Sequence, residues 1–535
     1  MSRNSRRDFL RAGAASLACG GFSTLFPQIG LIPTALAGTP QPGYKALVCL
    51  FLSGGNDAWN LLLPGNVAAH GRYVAARNGL HNTSSNLGGL AFPHHSGSGF
   101  INGQTLPASL SIAGGQYGLN PFAPELKTLY DQGRLAFVNN MGTLIAPVTR
   151  ANYNNFRPPQ LYSHNDQTRL WQIGSGSSTS VTRGWGGMVA GYTAQIPTLS
   201  GLPPTITLSG QNRFLIGTTP SSQSFVPFSL STSSSTPATQ ISNYPPPTAS
   251  QSSNRAEAQR RAALEELLNA ASPQAFTNDF RDTLDRSISL AEEVLNPAIS
   301  AIDTNDPVNT PFAAISSDSL ATRLRQIARV IKVSTDNTLA NPINANRQVF
   351  YVSLGGWDTH SDQINGLNSA SGHARLIERV SQAVAAFYQA MVNIGRASDV
   401  TLFSASEFGR TLNSNGDGSD HAWGSLQFAV GGAVNGGMYG RYPEIVLNNS
   451  LTGTTSVNAT QGECFSRGQF LPTTAVDQFA ATLARWMGVS NSDLPVLFPN
   501  IDNFTLGGHP NANPASTPTF ANFSRIIPGM MNGVV

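Results

Sequence analysis

The sequence predicts an α/β fold, a mostly parallel central sheet with helices on both faces, and three observations carry that prediction. Apolar strand runs are unbroken rather than alternating, as in LVCLFL at 47–52, which is the pattern of strands covered on both sides. Runs of this kind are followed by stretches whose apolar residues recur every three or four positions, so strand and helix take turns along much of the chain. Three of the runs then end in polar clusters: Asp57 after Ala46–Leu52, Asp358 and His360 after Val349–Leu354, and Glu407 after Val400–Phe403. Acidic groups at strand exits are how such a sheet holds a cation at its carboxyl edge.

Taken in order, the chain opens with SRRDFLRAG at 5–13, a mild apolar run and Ala35-Leu36-Ala37. An arginine pair ahead of such a run and an A-x-A exit is a bacterial twin-arginine (Tat) export signal, so 1–37 reads as a signal peptide and the Tat machinery as a partner. Without those residues, which hold four arginines and one aspartate, the formal charge of +3 falls to 0. That balance offers nothing to nucleic acid. No further run of 18 apolar residues exists, so no integral membrane segment is expected in the exported chain. A periplasmic or secreted location follows from the signal. Cys49 lies inside the first strand and reads as a small core residue rather than a partner for Cys464.

The first part of the α/β domain, 38–217, contains an aperiodic excursion at 64–119, then a helix begun at Asn120-Pro121 and stopped by Gly133, and the strand Leu135–Val138. Ser163-His164-Asn165-Asp166 opens the next helix, with Ser163 in capping position. Residues 218–300 read as an insertion: a Ser/Thr/Pro/Gln tract to 252, expected to be flexible surface, and an antiparallel helix pair expected to act as a cap. The second part, 301–535, supplies the helix 319–333, the strand 349–354 and a long helix marked by Leu376, Val380, Val384, Phe387, Met391 and Ile394. After the strand Val400–Phe403 come a Gly/Asn/Ser loop ending in Asp420-His421, the run Leu426–Val430, and a helix capped by Thr474.

Residues two apart on an extended chain point the same way, so Asp358 and His360 can meet one cation. Imidazole and carboxylate together suit a borderline divalent ion, zinc before others. His421 supplies a third ligand, and Asp57 and Glu407 a second or bridging position. Ser163, with Thr143 as second choice, is the candidate nucleophile, and Arg169 or Arg150 the candidate clamp for anionic oxygens. The plainer roles are a helix cap for Ser163 and an ion pair with Arg410 for Glu407.

Five pieces, SRRDFLR, LSGGNDAWNLLLP at 52–64, SHNDQ at 163–167, GGWDTHSDQ at 355–363 and SEFGRTLNSNGDGSDHAWGS at 406–425, resemble the Tat-exported bacterial family known as domain of unknown function 1501. That family is similar in turn to the alkaline phosphatase and sulfatase superfamily. The resemblance implies an alkaline phosphatase-like sheet with one or two ions at its strand exits, held by Asp57, Asp358, His360, Glu407 and His421. The aspartate–histidine spacing departs from the superfamily, being two rather than four, and Phe408 stands where a ligating histidine belongs. The expectation is therefore an exported metal-dependent hydrolase of phosphate or sulfate esters, acting on a small anionic ester or glycan. The alternative is a non-catalytic periplasmic or surface binding protein that keeps the same fold.

Overall fold

The computed structural model describes residues 42–534, except for 81–88, 98, 102–103, 178–180, 195–201, 223, 234–254, 271–274, 339–342, 344, 365–371, 448–463 and 506–523. The expected signal peptide and most of the Ser/Thr/Pro tract lie outside the described residues.

Among the described residues nine strands build the central sheet: β1 Lys45–Leu52, β2 Leu135–Gly142, β3 Thr205–Thr207, β4 Phe228–Ser229, β5 Arg347–Leu354, β6 Val400–Ala405, β7 Ser425–Gly431, β8 Gly437–Tyr439 and β9 Thr474–Ala475. Their order is β4-β3-β5-β1-β6-β7-β2-β8, with β9 also on β2. All run the same way except β7, which is antiparallel to both β6 and β2. The mostly parallel α/β sheet expected from the unbroken apolar runs is therefore present.

Period-two alternation divides each run between two cores. Leu47, Cys49 and Phe51 of β1 face one side, where they join Trp171, Trp185, Phe403, Phe479 and Leu483. Val48, Leu50 and Leu52 face the other, with Leu324, Ile327, Val380, Val384 and Phe387. The helices that matter are α1 Val67–Ala76, α2 Pro124–Asp131, α3 His164–Ile173, α4 Trp185–Thr193, α5 Arg255–Asn269, α6 Ala275–Ser289, α7 Ser319–Ser334, α8 His373–Asn393 and α9 Val476–Met487. The amphipathic stripes read at 319–333 and 376–394 become α7 and α8, packed on one face. Cys49 and Cys464 are both buried.

Three elements differ from the sequence reading. Helix α2 begins at Pro124, not Asn120, because the Asn120 side chain turns back to accept from Phe122 N–H and donates to Asn60 O. Thr474 is a strand residue on β2, and the first turn of α9 is closed instead by Gln478, whose Oε1 accepts from Ala475 N–H at 3.0 Å. Within 218–300, Phe228–Ser229 pairs in parallel with β3 as an edge strand rather than flexible surface. The chain beyond α6 runs on through Leu290–Leu295 and Asn296–Ser300, burying Leu290, Leu295 and Ile299 in the main core. The end of the helix pair is thus part of the body of the domain.

Register decides where the strand exits meet. Leu52 lies beside Leu354 and Phe51 beside Ala405, so the segments after β1, β5 and β6 leave the sheet side by side. Because β7 runs in the opposite sense, its beginning lies where theirs end, and residues just before Ser425 return to the same edge.

Candidate metal centre

At that edge Gly54 allows a close approach. Its φ of +127° lies in the region glycine favours, and a Cβ there would stand 2.4 Å from Asp358 N. The β1 and β5 exits can therefore touch, and Gly54 N–H donates to Glu407 Oε1 at 2.9 Å.

Three histidines converge on Asp358. The protein places an oxygen acceptor on the Nδ1 of each: Glu407 Oε1 at 2.8 Å for His164, Asp420 Oδ1 at 2.9 Å for His360, and the Tyr162 carbonyl at 2.9 Å for His421. A carbonyl or an ionised carboxylate only accepts, so each Nδ1 carries a proton, and in its neutral form each ring keeps a lone pair on Nε2. Those lone pairs face one another and the carboxylate. His360 Nε2 is 2.9 Å from His421 Nε2 and 3.1 Å from Asp358 Oδ1. His421 Nε2 is 3.3 Å from the same oxygen, and His164 Nε2, buried with no hydrogen-bond partner, is 3.5 Å from Asp358 Oδ2. One ligand atom each from His164, Asp358 and His421 lie within 4.8 Å of one another.

Four electron-pair donors at such separations repel unless a positive centre sits among them. Ligands about 2.1 Å from a tetrahedral zinc stand about 3.4 Å apart, close to the observed 2.9–3.5 Å. The donor set of nitrogens and one carboxylate also fits zinc by type.

Charge around the centre is arranged to keep the carboxylates ionised. Burial works to raise the Asp358 carboxyl, but the hydrogen bond and charge of Arg410 overcome it and hold the group below its ordinary value. Burial likewise opposes Asp420, and bonds from Asn415 and His360 with the charge of Arg467 bring it down. The bond to Glu407 raises the His164 pKa against burial, whereas burial lowers that of His421. Arg410 is itself fully buried, donating to the Gly55 and Ser419 carbonyls at 2.8 and 3.0 Å.

Of the residues expected from the sequence, Asp358, His360 and His421 therefore come together. Glu407 stands behind them, 2% exposed against 48% for Asp358, as the acceptor that orients His164. Its expected pairing with Arg410 is replaced by the Arg410–Asp358 pair. Asp57 turns away, with one oxygen on Arg77 at 2.6 Å and the other accepting from Gln363. Ser163 caps α3, donating to Asp166 Oδ2 at 2.6 Å. Phe408 packs its ring against both His164 and His421, with centroids at 4.8 and 4.6 Å, while those two rings lie 4.5 Å from each other. His164 is the residue that the sequence reading passed over. It lies in the SHNDQ segment, one of the pieces that carry the family resemblance, and is that segment's one imidazole.

Glu407→Gln tests the orienting role. The amide fills the same space but removes the charge that holds the His164 tautomer, and metal affinity is expected to fall about 10–100-fold, measured by competition with a chromophoric chelator.

Residues 44–460 match the model of a family described as Protein of unknown function (DUF1501). Among curated proteins none matches. A similar solved structure is the C-terminal periplasmic domain of EcEptC from Escherichia coli in complex with Zn, at 11% identity over 75% of this chain and 76% of that one. Its TM-score of 0.24 is too low for the likeness to carry an argument about the site. Among the described residues no helix is long and apolar enough to cross a membrane.

Proposed function

Since the chain belongs to the DUF1501 family, whose function is unknown, its activity has to be argued from the centre itself, and we propose an exported hydrolase of phosphate or sulfate esters dependent on one divalent cation. His164, Asp358, His360 and His421 would hold that cation, zinc by donor type. The observation that carries the reading is the 2.9 Å approach of two Nε2 atoms whose Nδ1 protons are both committed elsewhere. Export rests on the SRRDFLR start and the A-L-A exit.

A cation in this position supplies Lewis-acid stabilisation of charge developing on phosphoryl or sulfuryl oxygens. The chain's own residues do the rest. Glu407, Asp420 and the Tyr162 carbonyl hold the imidazole protons on the far side of each ring, and Arg410 keeps Asp358 anionic. Asp358 and His360 remain 48% and 44% exposed, so one side of the centre is open to a substrate from solvent. Structural zinc sites are closed, whereas catalytic ones keep an accessible position, and the exposure favours the second kind.

Elemental analysis of the folded protein is expected to find about one divalent cation per chain, with aryl phosphate or sulfate turnover that chelation abolishes. A protein with no stoichiometric metal, or turnover untouched by His360→Ala, would overturn the proposal. Ser163→Ala separates the two roles open to that hydroxyl. As a cap it is worth about 1 kcal/mol, so slightly lower stability with turnover kept is expected, and complete loss of turnover would make Ser163 the attacking group.

A further inference from the structure

Among the described residues two arginines near α3 have no counter-ion. Arg169 lies on α3, five residues beyond His164 and so about 7.5 Å along the helix axis. Arg213 opens the single turn Arg213–Leu215 that follows β3, and its backbone N–H donates to Gln172 Oε1 at 3.2 Å, seating that turn against α3. Among the described residues neither guanidinium has an ion pair or a side-chain hydrogen bond, and Arg169 Nε and Arg213 Nη1 are both shut off from water without a partner. Gln172 stands three residues beyond Arg169 and so shares its side of α3, which brings the Arg213 turn alongside Arg169; the lowered pKa of Arg213, by burial and then by the charge of Arg169, agrees with that placement. The other candidate clamp, Arg150, is already engaged, donating to the Cys464 carbonyl at 2.6 Å and lying over the Phe465 ring.

Like charges facing one another with shielded donors are unfavourable unless an anion joins them. A guanidinium fork matches the oxygens of a tetrahedral anion, and two forks suit a dianion. The pair is also tied to the metal centre. Phe214, next to Arg213, packs on Tyr351 of β5 with ring centroids 6.0 Å apart, and α3 carries His164 at its start, where Glu407 holds it. Five residues of α3 separate Arg169 from His164, about 7.5 Å along the axis, which sets the pair apart from the oxygens nearest the cation.

We propose that Arg169 and Arg213 form a subsite for a second phosphate or sulfate group of the substrate, distal to the ester at the cation. The link to turnover rests on the hydrolase reading, but the subsite can be tested apart from it. In the chelator-treated full chain, titration calorimetry with inorganic phosphate, and separately with inorganic sulfate, is expected to show one saturable site. The tighter anion identifies which group the distal position takes. Arg169→Met and Arg213→Met should each weaken it at least about tenfold, while Arg281→Gln, at a partly exposed arginine on α6 paired with Asp282, should leave it unchanged. Absence of saturable binding to the wild-type chain overturns the inference whatever the variants do, as does binding unaffected by both arginine changes. Zinc stoichiometry is measured on the same preparations before chelation. Zinc bound without arginine-dependent anion binding defeats the subsite alone, and arginine-dependent binding by a chain that takes no zinc supports the subsite while defeating the metal reading.

Discussion

His164→Ala is expected to cost the protein its cation while leaving it folded. The change removes one of three imidazole donors, and the loss of affinity should exceed the about 10–100-fold expected when only a ligand's hydrogen-bond partner is disturbed. It also leaves Glu407, 2% exposed, without the imidazole N–H, although Gly54 N–H still reaches it at 2.9 Å. That retained bond keeps the carboxylate from being stranded, so the penalty on folding should stay within about 1–3 kcal/mol. Competition titration with zinc gives the affinity, and circular dichroism with chemical denaturation gives the fold. A variant that binds stoichiometric metal with wild-type affinity would reduce the proposed centre to Asp358, His360 and His421, the three expected ligands that the fold brings together.

Why those three were legible and His164 was not has a physical basis. Unbroken apolar runs announce strands of a covered parallel sheet, and the residues just after them must appear at its carboxyl edge. Asp358 and His360 follow β5 by that rule. His421 follows from the opposite sense of β7: a reversed strand begins where its neighbours end, so the residue before it shares their edge. His164 obeys neither rule. It opens a helix at the end of the loop after β2, and only the sheet order brings that helix over the exits of β5 and β6. The same limit explains Asp57. Its position after β1 is as expected, but which way the side chain turns depends on Arg77, which ends α1 in a stretch with no readable periodicity. Arg213 was equally hidden, since its relevance comes from packing against α3. Local chemistry was readable at Ser163, where the capping role given by SHND is the one seen.

Asp57 provides the sharpest separation between holding the fold and holding a metal. Its carboxylate and the Arg77 guanidinium are both fully buried and 2.6 Å apart. Gln363 donates to the remaining oxygen, and Arg77 Nη1 donates to the Thr411 carbonyl at 3.3 Å. Through these bonds the β1 exit is fastened to α1, to the segment after β5 and to the loop after β6. Asp57→Ala leaves a guanidinium uncompensated in the interior, and breaking a buried pair in this way costs about 3–5 kcal/mol. Chemical denaturation should therefore show a lower midpoint at unchanged slope, with zinc stoichiometry at the wild-type value. Replacing both partners by apolar side chains, Asp57→Leu with Arg77→Met, should recover much of the loss, because no charge is then left alone. The opposite pattern, with metal lost and stability kept, would make Asp57 a ligand after all. It would also require its carboxylate to leave Arg77 when the cation binds.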